Sequence, residues 1–208
     1  MLSRVTDLAL EVRESFPDDN VEISGVKIIK RDTGISGISM TEVEIKDEHG
    51  MKAMGKPVGK YITLEGSVFS CFSKDFREMC EEFSEELSQF VPDGKVLVVG
   101  LGNNDITPDA LGPQTASKIL ATRHLKEELK DEDEFLTSLR PVGVLASGVL
   151  GQTGIETAEL IDGLMEKIDP QAIIAVDALA CSDINRLGKT IQLSDTGISP
   201  GSGVQNKR

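Results

Sequence analysis

Between residues 95 and 195 the sequence repeats one pattern: a short apolar run, a turn, then a stretch with helical spacing. KVLVVG (95–100) is the first run, and QTASKILATRHL (114–125) the helix after it. PVGVLA (141–146) is the second, followed after Thr153 by a helix over IETAELIDGLMEKI, with Thr153 and Glu156 at the spacing of a capping box. QAIIAVD (171–177) and KTIQLSD (189–195) read as the third and fourth strands. Short apolar strands separated by helices predict a parallel sheet covered on both faces. The expected fold class is therefore α/β, a three-layer domain with a mostly parallel sheet over residues 95–208.

The first third of the chain is different. VEISGVKIIK (21–30), GISMTEVEIK (37–46) and GKYITLE (59–65) alternate apolar and polar residues between glycines and acids, and predict a β-rich appendage over residues 20–66. A helix follows in SKDFREMCEEFSEELSQFV, with Ser73 as its expected N-cap. Phe76, Met79, Cys80, Phe83, Leu87 and Phe90 form its apolar stripe. The acidic stretch KEELKDEDE (126–134) reads as a solvated helix end or loop. With 208 residues, 39% of them hydrophobic, the chain can bury one sizeable core.

Charge narrows the partners. A net charge of -13 repels phosphate backbones and anionic lipid, so neither nucleic acid nor a membrane surface is expected as a partner. No apolar run approaches the roughly 20 residues of a spanning helix. Three cysteines (Cys71, Cys80 and Cys181) without a CxxC read as reduced thiols, and the expected compartment is the cytoplasm.

In an open parallel sheet, ligands bind beyond the carboxyl ends of the strands. Three such ends here lead to acids: Asp105 and Asp109 after the first strand, Asp177 after the third, and Asp195 after the fourth. Such a rim suits a divalent metal or acid/base work by a carboxylate pair. Structural roles compete. Asp195 reads as an Asx-turn before glycine, Asp105 as a cap on the glycine turn, and Asp109 as a cap on the helix that follows. Asp177 has no such ready explanation.

Other chemistries find less support. Gly100 and Gly102 open GLGNND, which is not GxGxxG; glycines that let a backbone approach a peptide substrate look the same. DTGIS occurs at 32–36 and 195–199, and reads as two turns. Only His49 and His124 exist, with no HExxH. Ser147 and Ser202 lack the GxSxG elbow, and Cys181 reads as a buried thiol. Arg123 and His124 either complement a helix C-terminus or recognise substrate.

VVGLGNNDITPDALGP, ATRHL, GVLGQTGIETAELI, AVDALA and TIQLSDTGISPGSGVQNKR together resemble the germination protease family of spore-forming bacteria. The match runs in order through the whole chain, with TDLALE and GKYITLE included. The resemblance implies an atypical aspartic protease on an α/β fold related to hydrogenase-maturation peptidases. It implies no metal or other cofactor, a homotetramer, and small acid-soluble spore proteins of the spore core as substrates. The family's catalytic aspartates fall on Asp109 and Asp177, 68 residues apart. Gly100 and Gly102, and Arg123 as the cation near an acidic substrate residue, are the expected substrate contacts.

The same resemblance bears on both ends of the chain. Family substrates share a motif similar to Thr-Glu-(Phe/Ile)-Ala-Ser-Glu, cut after the first acid. Thr6-Asp7-Leu8-Ala9-Leu10-Glu11 imitates it, so residues 1–7 are expected to be a propeptide released by self-cleavage between Asp7 and Leu8, leaving 8–208 as the protease domain. An amphipathic helical start with Leu8, Val12 and Ser15 on one face accounts for the same residues. Family members continue beyond residue 208, and Gln205 stands where they usually show glycine, so the chain is expected to lack the family's C-terminal portion. A metallopeptidase using Asp or Glu with His124, and a non-catalytic fragment or binding module, are the alternatives.

Overall fold

The computed structural model describes residues 6–16, 23–35, 37–66, 69, 74–128 and 133–198. In chain order the elements begin with α1 (Ala9–Glu14), β1 (Val26–Asp32), β2 (Ser39–Ile45), α2 (Glu48–Met54), β3 (Gly59–Glu65) and α3 (Phe76–Ser88). Next come β4 (Val96–Leu101), α4 (Leu111–Ala116), α5 (Leu125–Glu128), α6 (Glu134–Ser138) and β5 (Val142–Gly148). The last are α7 (Leu150–Thr153), α8 (Thr157–Ile168), β6 (Ala172–Val176) and β7 (Thr190–Ser194). The chain forms two compact units, one of residues 1–90 with 179–208 and one of residues 91–178.

The first unit is built on an antiparallel sheet in the order β1-β2-β3-β7. In β2 and β3 the alternation is broken, with Met40 buried as well as Val43 and Ile45, and Tyr61 as well as Ile62 and Leu64, so the sheet has two apolar faces to cover. Val43, Ile45 and Tyr61 pack with Ala9 of α1 and Met54 of α2. Met40, Ile62 and Leu64 face the other way and take Phe83 of α3 and Phe90. The stripe expected on the helix is used in part: within Phe76–Ser88 Met79 is buried and Phe83 packs on the sheet, Phe90 follows beyond the helix, and Phe76 and Cys80 are exposed; Ser73 lies outside the described residues. Helix α2 is an addition to the sequence reading, capped by Asp47, whose carboxylate accepts the His49 and Gly50 N–H groups at 2.9 Å.

The second unit holds a parallel sheet in the order β5-β4-β6. All six residues of β4 are buried. Leu97, Val99 and Leu101 cluster with Ile161, Leu164 and Ile168 of α8. Gly100, on the opposite face of the strand, meets Gly112 and Ala116 of α4. Helix, sheet and helix make the three layers, and the α/β class is as expected.

Three local expectations change. β7 does not extend the parallel sheet but pairs antiparallel with β3, Ile62 opposite Leu193. The link between β6 and β7 holds a 3₁₀ turn at Ile184–Arg186 and no α-helix, the element that usually carries a parallel crossover. TIQLS also alternates, the signature of an antiparallel strand. The helix after β4 runs over Leu111–Ala116, because Thr122 leaves it to bind β5: its N–H donates to the Val142 carbonyl at 3.0 Å and its hydroxyl accepts the Val142 N–H at 2.9 Å. The capping box at α8 is formed by Glu156 and Glu159, while the Thr153 hydroxyl accepts the Ile155 N–H at 3.1 Å.

Candidate active site

The carboxyl ends of β4 and β6 lie side by side, Gly100 opposite Val176 in the ladder. From β4 the chain turns through Gly102, whose φ of 111° suits glycine, into Asn103 and a 3₁₀ turn at Thr107–Asp109. Asp109 is half-buried, and its Oδ2 accepts the Asn103 N–H at 2.7 Å. It does not cap α4, whose N-cap is Ala110 without a side-chain bond. The Asp109 carboxylate is folded back onto the strand end.

Gly112 shows how tightly this loop is seated. A Cβ there would lie 2.2 Å from the Leu101 carbonyl oxygen and 2.4 Å from that of Val176. The start of α4 is therefore wedged against the last residues of both β4 and β6. Asp109 stands three residues before that wedge, and Asp177 directly follows Val176. Asp177 is half-buried, and its Oδ1 accepts the Ala178 N–H at 2.8 Å. Two loops from neighbouring strand ends thus bring the two aspartates to one rim of the second unit.

The glycines serve this arrangement. A Cβ on Gly100 would meet the Gly112 carbonyl oxygen at 2.2 Å, and one on Gly102 the Asp109 carbonyl oxygen at 2.1 Å. The backbone that comes close to each is the chain's own. Asp105 does not cap the turn; its N–H donates to Asn103 Oδ1 at 2.9 Å. Gln152 of α7 clasps the same loop, its Nε2 reaching Asn103 Oδ1 at 2.9 Å and Asp105 Oδ2 at 3.3 Å. Asn103 and Gln152 had no functional signal in the sequence.

Arg123 and His124 are not brought to this rim. Both are exposed and border a cleft of about 310 Å³ with Leu97, Val142 and Ile168, beside the starting residues of β4 and β5. Asp195 is structural as expected, though through a bond across strands: its Oδ1 accepts the Lys60 N–H at 2.8 Å. Of the repeated pentapeptide, Asp32 makes a tight turn by accepting the Gly34 N–H at 3.0 Å. Among the described residues, no three of His, Cys, Asp or Glu cluster as metal ligands.

Asp7 and Leu8 lie in the first unit. The Asp7 N–H donates to the Ala180 carbonyl at 2.9 Å, and Asp7 Oδ2 accepts the Ala180 N–H at 2.9 Å. Leu8 is 1% exposed. Three residues on, the Glu11 carboxylate accepts the Ser182 N–H and hydroxyl, each at 2.7 Å, and the Asp183 N–H at 3.0 Å. Arg186 closes the cluster, bidentate on Glu14 at 2.7 and 2.8 Å and bound to Glu65 at 2.6 Å. The hydrogen bond to Glu14, with Glu65 behind it, holds the guanidinium charged more firmly than usual against the opposing effect of burial. The expected helical start is thus also present, as α1, with Val12 packed on the core and Ser15 exposed.

A family model described as germination protease matches residues 4–208. The germination protease of Caldanaerobacter subterraneus is 50% identical over 207 residues, covering 98% of this chain and 62% of the relative. That of Clostridium perfringens is 44% identical, covering 98% and 63%. That of Priestia megaterium is 42% identical, covering 98% and 57%. The chain thus spans less than two thirds of the length of these relatives.

Proposed function

Because the chain belongs to the germination protease family, we propose that it carries the catalytic part of an endopeptidase of spore germination, with Asp109 and Asp177 as its acid pair. The observation behind this reading is the seating of both aspartates at adjoining strand ends, tied through Gly112 to Leu101 and Val176. In such a pair one carboxyl serves as the base and the other as the acid. The ionised partner takes a proton from water as its oxygen attacks the peptide carbonyl carbon, and the protonated partner donates to the carbonyl oxygen. A metal is not needed for either transfer. Asn103, Gln152 and the two glycines hold the Asp109 loop rather than touch the reacting atoms.

The substrate class is small acid-soluble spore proteins cut after an acidic residue, and the acting form is a tetramer of this chain. Residues 1–7 form a propeptide that the protease releases at Asp7–Leu8. Leu8, Ala9 and Leu10 are buried in the first unit, so α1 stays anchored after the cut. Asp109→Asn and Asp177→Asn keep shape and remove one carboxyl of the pair. Each is expected to lower cleavage of a small acid-soluble spore protein on the order of 10³-fold with folding intact. N-terminal sequencing of the matured wild type should begin at Leu8, and Asp7→Ala should block maturation. Near wild-type cleavage by both Asn variants sinks the acid pair; a different mature N-terminus sinks the propeptide.

A further inference from the structure

Strand β5 stands at the edge of its sheet, with β4 on one side and no strand on the other. Just before β5, the Pro141 carbonyl turns to β4 and accepts the Val96 N–H at 3.0 Å. Backbone groups alternate in direction along a strand, so Val142 faces outward. There Thr122 and Arg123 cap it, both their N–H groups donating to the Val142 carbonyl, at 3.0 and 3.1 Å. Val144 and Ala146 face outward by the same alternation, and no described residue bonds them on that side. Nothing in VGVLASG guards this edge: it holds no lysine, no proline and no charge.

The cleft of about 310 Å³ beside Arg123 opens along the same strand. Leu97 and, from α8, Leu164 and Ile168 make its wall apolar. The slot depends on residue 143 being glycine. A Cβ there would lie 3.5 Å from Leu97 Cδ1, 3.8 Å from Ile168 Cδ1 and 3.9 Å from Arg123 Cδ, so a larger side chain would enter this space. Arg123 and His124 also line the cleft, and both are exposed. Asp and Glu outnumber Lys and Arg in the chain by 35 to 22, yet among the described residues no acid lines the cleft and none pairs with Arg123.

We propose that the β5 edge is a docking site for an extended acidic peptide segment, which joins the sheet as a fourth strand. A polypeptide offers N–H and C=O groups at the spacing that Val144 and Ala146 require; a lipid or a nucleotide has no such row. An apolar side chain of the segment enters the slot over Gly143, and a carboxylate two residues away on the same face meets Arg123. The site lies wholly in the second unit. It requires no bond to be cut, so it stands apart from the acid-pair reading.

The probe is fluorescein-labelled Thr-Glu-Thr-Val-Thr-Glu-Thr, whose binding to the full chain is read by fluorescence anisotropy. It sets a carboxylate two residues to either side of one valine, on one face, and so fits in either strand direction. The wild type should bind it, and the Val144 and Ala146 N–H groups should gain protection from hydrogen exchange. A version N-methylated at its three central residues cannot pair and should bind about tenfold weaker or worse. Replacing both Glu by Gln should weaken binding roughly fivefold in the wild type and leave it unchanged in Arg123→Gln. Gly143→Val fills the slot and should weaken binding about tenfold. If that variant does not fold, the probe with Gly in place of Val reads the slot on the wild type. No binding at about 1 mM probe, an N-methylated probe that binds as well, or a Gln probe equal to the Glu probe on the wild type overturns the site. So does an oligomer of the chain that Gly143→Val dissociates, because a second copy is then the occupant.

Discussion

Glu11 is buried, yet its carboxylate is held ionised by donors from two consecutive residues. Burial alone would raise its pKa. The hydrogen bonds from Ser182, Thr6 and Asp183 outweigh it and bring the group to about 2, from an ordinary 4.5. A carboxylate depressed in the folded state stabilises the fold above the unfolded pKa and loses that contribution as pH falls through the folded one. The window here is pH 4.5 down to about 2, and the shift corresponds to roughly 3 kcal/mol. Glu11→Gln should therefore unfold at lower urea at pH 7, and the difference from wild type should shrink across that window. A difference that stays constant from pH 7 to pH 2.5 contradicts this account. The residues of the candidate site were unequally legible. Asp109 and Asp177 stood out as acids after apolar strands. Asn103 and Gln152, which hold the Asp109 loop, lie 49 residues apart, and no local pattern links positions so distant.

At the scale of elements, two glycines with opposite surroundings make a paired prediction. Gly112 has backbone oxygens of β4 and β6 where a Cβ would go, and neither can move without parting the strands. Gly112→Ala should cost about 3 kcal/mol. Gly163, exposed within α8, has nothing within 4 Å of that position, and Gly163→Ala should raise stability by about 1 kcal/mol. Thermal unfolding of both variants reads the contrast; shifts of the same sign defeat it. Element types were readable because period 2 and period 3.6 are written locally. The boundaries that moved did so for non-local reasons: Thr122 was drawn out of a helix by the edge of β5, and Glu159 supplied the cap that Thr153 was expected to begin.

For the whole molecule, the acid-pair reading makes a direct prediction about metals. If two aspartates perform both proton transfers, EDTA should leave cleavage of a small acid-soluble spore protein unchanged. Activity abolished by the chelator and restored by zinc would favour a metallopeptidase. The sequence by itself determined the class of fold. Apolar strands between helices require cover on both faces, and alternating strands bury one face, whatever the rest of the chain does. It also determined which acids stand after strands. The tertiary structure alone decided which sheet each strand joins. β7 looked like a further member of the parallel series, yet a link from β6 without an α-helix and its own alternating face go with its pairing to β3. It alone decided, too, that the backbone approaching Gly100 and Gly102 is the chain's own, and that Asp7 meets Ala180. Periodicity and turn chemistry act over a few residues, whereas pairing and close approach depend on surfaces that exist only once distant segments have packed.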